Sequence, residues 1–243
     1  MTYCVGLWLE QGLVMLADTR TNAGVDHIST YSKMYTAVVP GERVLCLMAA
    51  GNLAITQAVW SRLSEGVLLD GEKQTLHGVG SMFRAAQLVG AAIRAVYEVD
   101  GPMLRAQDVR FDVSIMLGGQ IAGGPQRLYL LYAAGNFIEA TTDTPFLQIG
   151  EHKYGKPILD RALSHATRLE DGVTLTLVSM DSTLRSNLTV GLPLDLLVYE
   201  ANSLQVRLQR RITEEDPYFH DLRERWSTAL REAYRQMPAP DWL

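Results

Sequence analysis

The chain opens on Tyr3-Cys4-Val5-Gly6-Leu7-Trp8-Leu9, an apolar run that reads as a strand beginning directly after Met1-Thr2. Glu10-Gln11-Gly12 is a turn signal and Leu13 to Ala17 is a second apolar run, so the first two elements predict a β-hairpin. Met34 to Val39 and Val44 to Met48, separated by Pro40-Gly41-Glu42-Arg43, predict two more strands, and the first fifty residues read as a β-meander. The period then changes. From Asn52, the residues Leu53, Ile55, Thr56, Val59, Trp60 and Leu63 recur at three- and four-residue spacing and predict a helix. A second helix is predicted from Ser81 to Val99, with Asp100-Gly101-Pro102 as its stop.

Strand patterns return at Asp112 to Leu117, Arg127 to Ala133, Phe137 to Ala140 and Phe146 to Gly150. Gly155-Lys156-Pro157 opens a helix predicted to reach Ala166. The segment Asp171 to Ser182 is ambiguous: Val173, Leu175 and Leu177 alternate as in a strand, while the neighbouring helices favour a helix. Leu194 to Tyr199 and Leu204 to Leu208 predict a closing strand pair, and Pro217 to Met237 a charged amphipathic helix with Phe219, Leu222, Trp226, Leu230 and Tyr234 on one stripe. Strands and helices in alternating blocks predict an α+β domain of layered sheets with helices outside them. No linker or repeat divides the chain, so one domain over residues 1–243 with a C-terminal helical extension is the expected organisation.

Composition narrows the function. With 47% hydrophobic and 20% charged residues in 243, a sizeable core is expected. The 27 acidic residues against 22 basic ones give a net charge of -5, which argues against a nucleic-acid partner. No apolar stretch is long enough to span a membrane and no secretory signal is evident, so a cytoplasmic location is expected. Cys4 and Cys46, far apart in apolar runs, read as buried thiols. There is no G-x-S-x-G elbow, H-E-x-x-H, C-x-x-C or G-x-x-x-x-G-K motif, and the five histidines show no metal-ligand spacing, so neither a metal nor a cofactor is expected. The glycines at 118–119 and 123–124 fit a hairpin tip better than a phosphate cradle.

The chemistry left to consider sits at the start of the chain. A threonine at an N-terminus carries both a nucleophile, its hydroxyl, and a base, its α-amine. Thr2 takes that place only if Met1 is removed. Leu16-Ala17-Asp18-Thr19-Arg20 places Asp18 at the end of an apolar run, where a carboxylate needs a partner, and Lys33 could supply it. The pair fits an ordinary strand-end salt bridge, or an ion pair beneath Thr2 that orients its hydroxyl and lowers the amine's pKa. Met48-Ala49-Ala50-Gly51-Asn52 turns from strand to helix. Its alanines leave room for a substrate chain, and the Gly51 N–H at a helix start is a candidate oxyanion donor. The alternative is a plain strand-to-helix turn.

Thr2, Asp18-Thr19-Arg20, Lys33 and Ala49-Ala50-Gly51-Asn52 together resemble the active-site frame of proteasome β-subunits and HslV peptidases. Thr2-Tyr3-Cys4-Val5, the run from Asp18 to Asp26 and the run from Gln148 to Arg161 resemble more closely the Anbu family of bacterial proteasome-like proteins, over nearly the whole chain. The resemblance implies a four-layer αββα N-terminal-nucleophile hydrolase fold and a homo-oligomer, either a ring or an open helix. It implies Thr2 as nucleophile, Asp18 and Lys33 as its partners, Gly51 as oxyanion donor, and Arg20, Thr21, Ala49 and Ala50 facing the substrate.

Two positions depart from the proteasome pattern. Gly150-Glu151 stands where those subunits carry Gly-Ser, and an ionised Glu151 cannot donate a proton as that serine does. Glu151 is therefore expected to modulate the site, for instance by holding the ammonium. The Asp-x-x-Ser element is matched by Asp181 but not by its serine, for which Ser186 or Ser182 would stand in.

The resemblance thus implies a threonine-type peptidase acting on peptide or protein substrates, with any unfoldase partner unspecified. Two other readings stand beside it: a scaffold with a weak or vestigial site, and an amidase or acyltransferase acting on non-protein substrates.

Overall fold

The computed structural model describes residues 1–23 and 27–242; Gly24, Val25 and Asp26 of the Asp18-to-Asp26 motif lie outside the described residues. β1 (Tyr3–Leu9) and β2 (Gly12–Asp18) form the expected hairpin. They are followed by β3 (Arg20–Ala23), β4 (His27–Thr30), β5 (Met34–Val39) and β6 (Arg43–Gly51). Helix α1 (Leu53–Glu65), the short strands β7 (Val67–Leu69) and β8 (Glu72–Gln74), and helix α2 (Met82–Ala106) come next. Four more strands, β9 (Val113–Ile121), β10 (Arg127–Leu131), β11 (Phe137–Glu139) and β12 (Phe146–Gly150), precede α3 (Lys156–Ala162) and α4 (Leu169–Ser186). β13 (Leu194–Glu200), β14 (Val206–Ile212) and α5 (Pro217–Arg235) close the chain.

The first fifty residues are not one meander. The hairpin β1–β2 belongs to a five-stranded sheet ordered β12-β1-β2-β13-β14, whereas β5 and β6 belong to a second one ordered β11-β10-β9-β6-β5. β3 and β4, which carry few apolar residues and gave no strand pattern, form a separate two-stranded ribbon between them. All pairings in both large sheets are antiparallel.

The continuous apolar runs of β2 and β6 follow from burial on both faces. On β2, Val14 and Leu16 pack against Leu159, Leu177, Met180, Phe219 and Leu222 of α3, α4 and α5. The alternate residues Leu13, Met15 and Ala17 pack against Cys46 and Met48 of β6, Met116 of β9 and Leu128 of β10. On β6, Leu45 and Leu47 turn the other way, onto Val59 and Leu63 of α1 and Ala85, Val89 and Ile93 of α2. Cys4 and Cys46 are buried free thiols, as expected.

One helical expectation is corrected and one open segment is resolved. α2 does not stop at Asp100-Gly101-Pro102 but continues to Ala106 with Pro102 inside it. The lost N–H is tolerated because the last turn is held from outside: Leu104 packs on the first core, and the Tyr97 ring lies against Gly101 and edge-on to Phe111. The ambiguous segment is helical, as α4, because Leu169, Gly172, Thr176, Met180 and Thr183 fall on one buried stripe. No helix among the described residues is long and apolar enough to cross a membrane.

Asp181 lies in α4 with its carboxylate fully buried, accepting from Arg185 Nε at 3.1 Å and from Arg223 Nε of α5 at 2.6 Å. It therefore fastens α5 to α4. Replacing it with alanine is expected to cost about 2 kcal/mol, the worth of hydrogen bonds to a charged group, read as a lowered denaturant midpoint with faster amide exchange concentrated in α5.

Candidate active site

The hydrogen bonds around residue 2 come from three separated segments. Tyr3 N donates to Asp18 Oδ1 at 3.0 Å, which ties the start of β1 to the end of β2. On the other side Glu151 N donates to Thr2 O at 2.6 Å, and β12 runs beside β1 until Tyr3 lies opposite Gly150. Gly150 has φ +81°, and a Cβ there would fall 2.0 Å from Thr2 O, so only glycine lets β12 close this tightly. The Tyr3 ring is buried, and its hydroxyl meets Ser179 Oγ and Gln148 Nε2, each at 2.6 Å. Thr2 itself stays partly open to solvent.

Asp18 is fully buried and accepts from Lys33 Nζ at 2.7 Å, from Tyr3 N and from Gly191 N at 3.3 Å. Burial pushes its carboxyl above the usual range, while the Lys33 ammonium and the two backbone N–H groups pull against that. Lys33 also donates to Arg20 O at 2.7 Å. Its backbone is held as well: Ala49 N donates to Lys33 O, and Tyr31 N to Thr19 O.

A small cavity of about 80 Å³ is lined by Thr2, Arg20, Thr21, Lys33, Ala49, Ala50 and Gly51, with Met1 at its edge. A larger one, about 370 Å³, is lined by Met1, Thr2, Ala50, Gly51, Asp112, Ser114 and Gly150. Thr21 Oγ1 is buried with no hydrogen-bond partner among the described residues. A roomier hollow of about 660 Å³ between α2 and the β7–β8 ribbon has no hydroxyl, thiol or imidazole in its lining.

The helix-start position expected for Gly51 is corrected. Gly51 is the last residue of β6; α1 starts at Leu53 and is capped by Asn52, whose Oδ1 accepts from Ala54 N. Alternation along the strand is what frees its N–H. Ala49 donates towards β5, to Lys33 O, and Asn52 donates the other way, to Asp112 O. The Gly51 N–H thus points to the side of Lys33, past the end of β5. With φ +112° and a Cβ position 2.3 Å from Asp112 O, this residue can only be glycine.

Asp181 and Ser186 do not join this group. Asp181 is committed to Arg185 and Arg223, Ser186 is exposed at the end of α4, and neither lines the cavities at Thr2. The helical period explains the miss, because α4 turns Ser179, not Asp181, towards Tyr3 and Gly155. The segment that does reach the site is the connection after α4. Asn187 Nδ2 donates to Glu151 Oε2 at 3.1 Å, Gly191 N reaches Asp18, and Thr19 Oγ1 donates to Pro193 O at 2.7 Å. The Asn187-x-Thr189 spacing, typical of a side chain that caps its own loop, was the signal available for it.

Solved structures with the same architecture come from several bacteria. Anbu from Hyphomicrobium sp. strain MC1 is 49% identical, with a TM-score of 0.87 and coverage of 98% of this chain and 99% of that one. The chain belongs to the Anbu family. Anbu from Yersinia bercovieri, described as an ancestral beta-subunit, is 48% identical at a TM-score of 0.91, covering 98% and 99% of the two chains. Anbu from Pseudomonas aeruginosa, solved as a helical assembly, is 49% identical at a TM-score of 0.91, covering 98% of each. No protein-family model matches the chain, and neither does any curated protein.

Lys33→Ala would leave Asp18 buried without its cation. It is expected to cost about 3–5 kcal/mol in urea unfolding, and pairing it with Asp18→Ala should recover a large part of the loss. A Lys33→Ala protein as stable as the parent would contradict the ion-pair account.

Proposed function

We propose that this Anbu-family chain is a threonine-type peptidase of the four-layer αββα N-terminal-nucleophile class, active once Met1 has been removed. The observation that carries the reading is that Lys33, ion-paired to the buried Asp18, and Gly51, at the end of β6, line the smaller cavity with Thr2. The two five-stranded sheets with helices on their outer faces support the fold assignment.

In this mechanism Thr2 Oγ attacks the scissile carbonyl and its proton passes to the Thr2 α-amine. The carbonyl oxygen gathers negative charge against the Gly51 N–H, and Lys33 adds positive potential nearby. The C–N bond then breaks, the leaving amine takes the proton from the ammonium, and an ester remains on Thr2. Water attacks the ester with the same amine as base, the acid product leaves, and the Oγ–H is restored. Arg20, Thr21, Ala49 and Ala50 would receive the substrate chain along the smaller cavity.

The amine must be unprotonated to start the cycle. At this end of the chain the Met1 amine is lowered from its ordinary value by burial first and by Lys33 second, against the opposing pull of Asp18 and Glu151. In the Met1-free enzyme the base is the Thr2 amine, and peptidase activity should rise with pH through the range in which a free α-amine titrates, about 8. Thr2→Ala should lower kcat on the order of 10⁴-fold, whereas Thr2→Ser should retain part of it; a fully active Thr2→Ala enzyme would end the proposal.

A second reading, an assembly protein with a vestigial site, draws support from Glu151, whose carboxylate cannot shuttle a proton when ionised. Intact mass of the native protein separates the two, since Met1 retained on every chain is compatible only with the scaffold.

We also propose self-association through α5. Its buried stripe of Phe219 and Leu222 continues outward into Leu230, 50% exposed, and Tyr234, 63% exposed. Two exposed apolar side chains on this end of a charged helix leave it short of packing on its own domain. A second copy is the occupant that the helical assembly of the P. aeruginosa relative favours. Leu230→Asp with Tyr234→Asp is expected to reduce the sedimenting species to smaller units without lowering the unfolding temperature. An unchanged sedimentation profile would exclude α5 from the contact.

A further inference from the structure

The connection between α4 and β13 touches both carboxylates that flank the first residues of the chain. Asn187 is buried at the end of α4. Its Nδ2 donates to Glu151 Oε2 at 3.1 Å, and its Oδ1 accepts from Thr189 N at 3.0 Å and from Thr189 Oγ1 at 2.6 Å. The amide is thereby fixed with its donor end towards Glu151. The other oxygen of Glu151 accepts from Lys153 N at 2.9 Å. Each carboxylate oxygen thus faces an N–H, an arrangement that suits an ionised carboxylate and offers no acceptor for a carboxyl proton. Burial opposes that charge, but the Lys153 N–H, the Asn187 amide, the Lys153 ammonium and the His152 N–H together outweigh it and hold the carboxyl below its ordinary range. Four residues on, Gly191 N reaches Asp18 Oδ2. Arg20 covers Gly191 so closely that a Cβ there would lie 2.1 Å from Arg20 Nε, and Arg20 Nη1 donates to Leu188 O at 2.8 Å.

We propose that Asn187 is a positioning residue that acts through Glu151, holding this carboxylate as a fixed negative charge beside the N-terminal amine. The inference rests on the peptidase reading only for its consequence in catalysis, because the charge acts on the amine whether or not turnover follows. The charged groups around the amine are Lys33 ahead of β5, Asp18 on β2, Glu151 after β12, Arg20 on β3 and Asp112 ahead of β9. Lys33 is engaged by Asp18, and Lys153 acts on Glu151 through its charge while only its backbone N–H is hydrogen-bonded to the carboxylate. The Glu151 charge favours the ammonium and sets the pH at which the amine becomes a free base.

The test is the pH dependence of trace acetylation of the N-terminal amine in the assembled protein, read by mass spectrometry of the N-terminal peptide. This needs no catalytic turnover, so it stands apart from the fate of Thr2→Ala. Glu151→Gln should lower the midpoint by roughly one pH unit. Asn187→Ala should lower it in the same direction, and the double variant should fall no further than Glu151→Gln alone, since both act through one group. Thr189→Val, which removes the hydroxyl that grips the Asn187 amide, should give a smaller fall and serves if Asn187→Ala does not fold. A change in stability alone would leave the midpoint unmoved in every variant, and that result overturns the proposal. So does a shift in Asn187→Ala that adds in full to that of Glu151→Gln.

Discussion

A carboxylate with no solvent contact ends β2, and the neighbourhood of Thr2 is arranged around satisfying it. Asp18 has three donors: the Lys33 ammonium, Tyr3 N from the adjacent strand and Gly191 N from the connection after α4. Each ties down a different segment. Lys33 fixes the entry to β5, Tyr3 fixes the first residues of β1, and Gly191 fixes the loop that also carries Asn187. A charge removed from water is tolerated only when its partners are held in place. The demand that Asp18 makes is thus the same constraint that holds Thr2, Lys33 and Glu151 at fixed separations.

The two sheets supply the rigidity behind this arrangement. β2 and β6 lie inside the molecule with both faces covered, and the site forms where their ends emerge, at Asp18 and at Gly51. Strand alternation then decides which backbone N–H is free. The last residue of β6 directs its N–H beyond the end of β5, an outcome of register and strand length alone. A site built on strand ends in this way combines a rigid base with an open approach.

Much of this was legible in the chain. Asp18 at the end of an apolar run announced a buried charge in need of a cation, and the glycine after Ala49-Ala50 announced a break in a strand. Strands buried on both faces announced themselves as unbroken apolar runs, although those runs do not say to which sheet each belongs, so β1–β2 and β5–β6 read as one meander. β3 and β4 were invisible because their ribbon buries little and shows no alternation. Asp181 was misplaced because spacing within α4 does not reveal which face meets β1; the stripe runs through Ser179 and leaves Asp181 for Arg223. Asn187 and Gly191 were missed because their partners, Glu151 and Asp18, lie 36 and 173 positions away and only the fold brings them together.

In the proposed mechanism the Thr2 hydroxyl and the chain's first amine form one reactive unit. The most direct measurement is peptide mapping of Met1-free protein after treatment with a peptide vinyl sulfone, an electrophile that a nucleophilic hydroxyl can trap. One adduct per chain is expected, on Thr2, formed faster as the pH rises and lost in Lys33→Ala. An adduct on any other residue, or none on protein verified by mass to begin at Thr2, would contradict it.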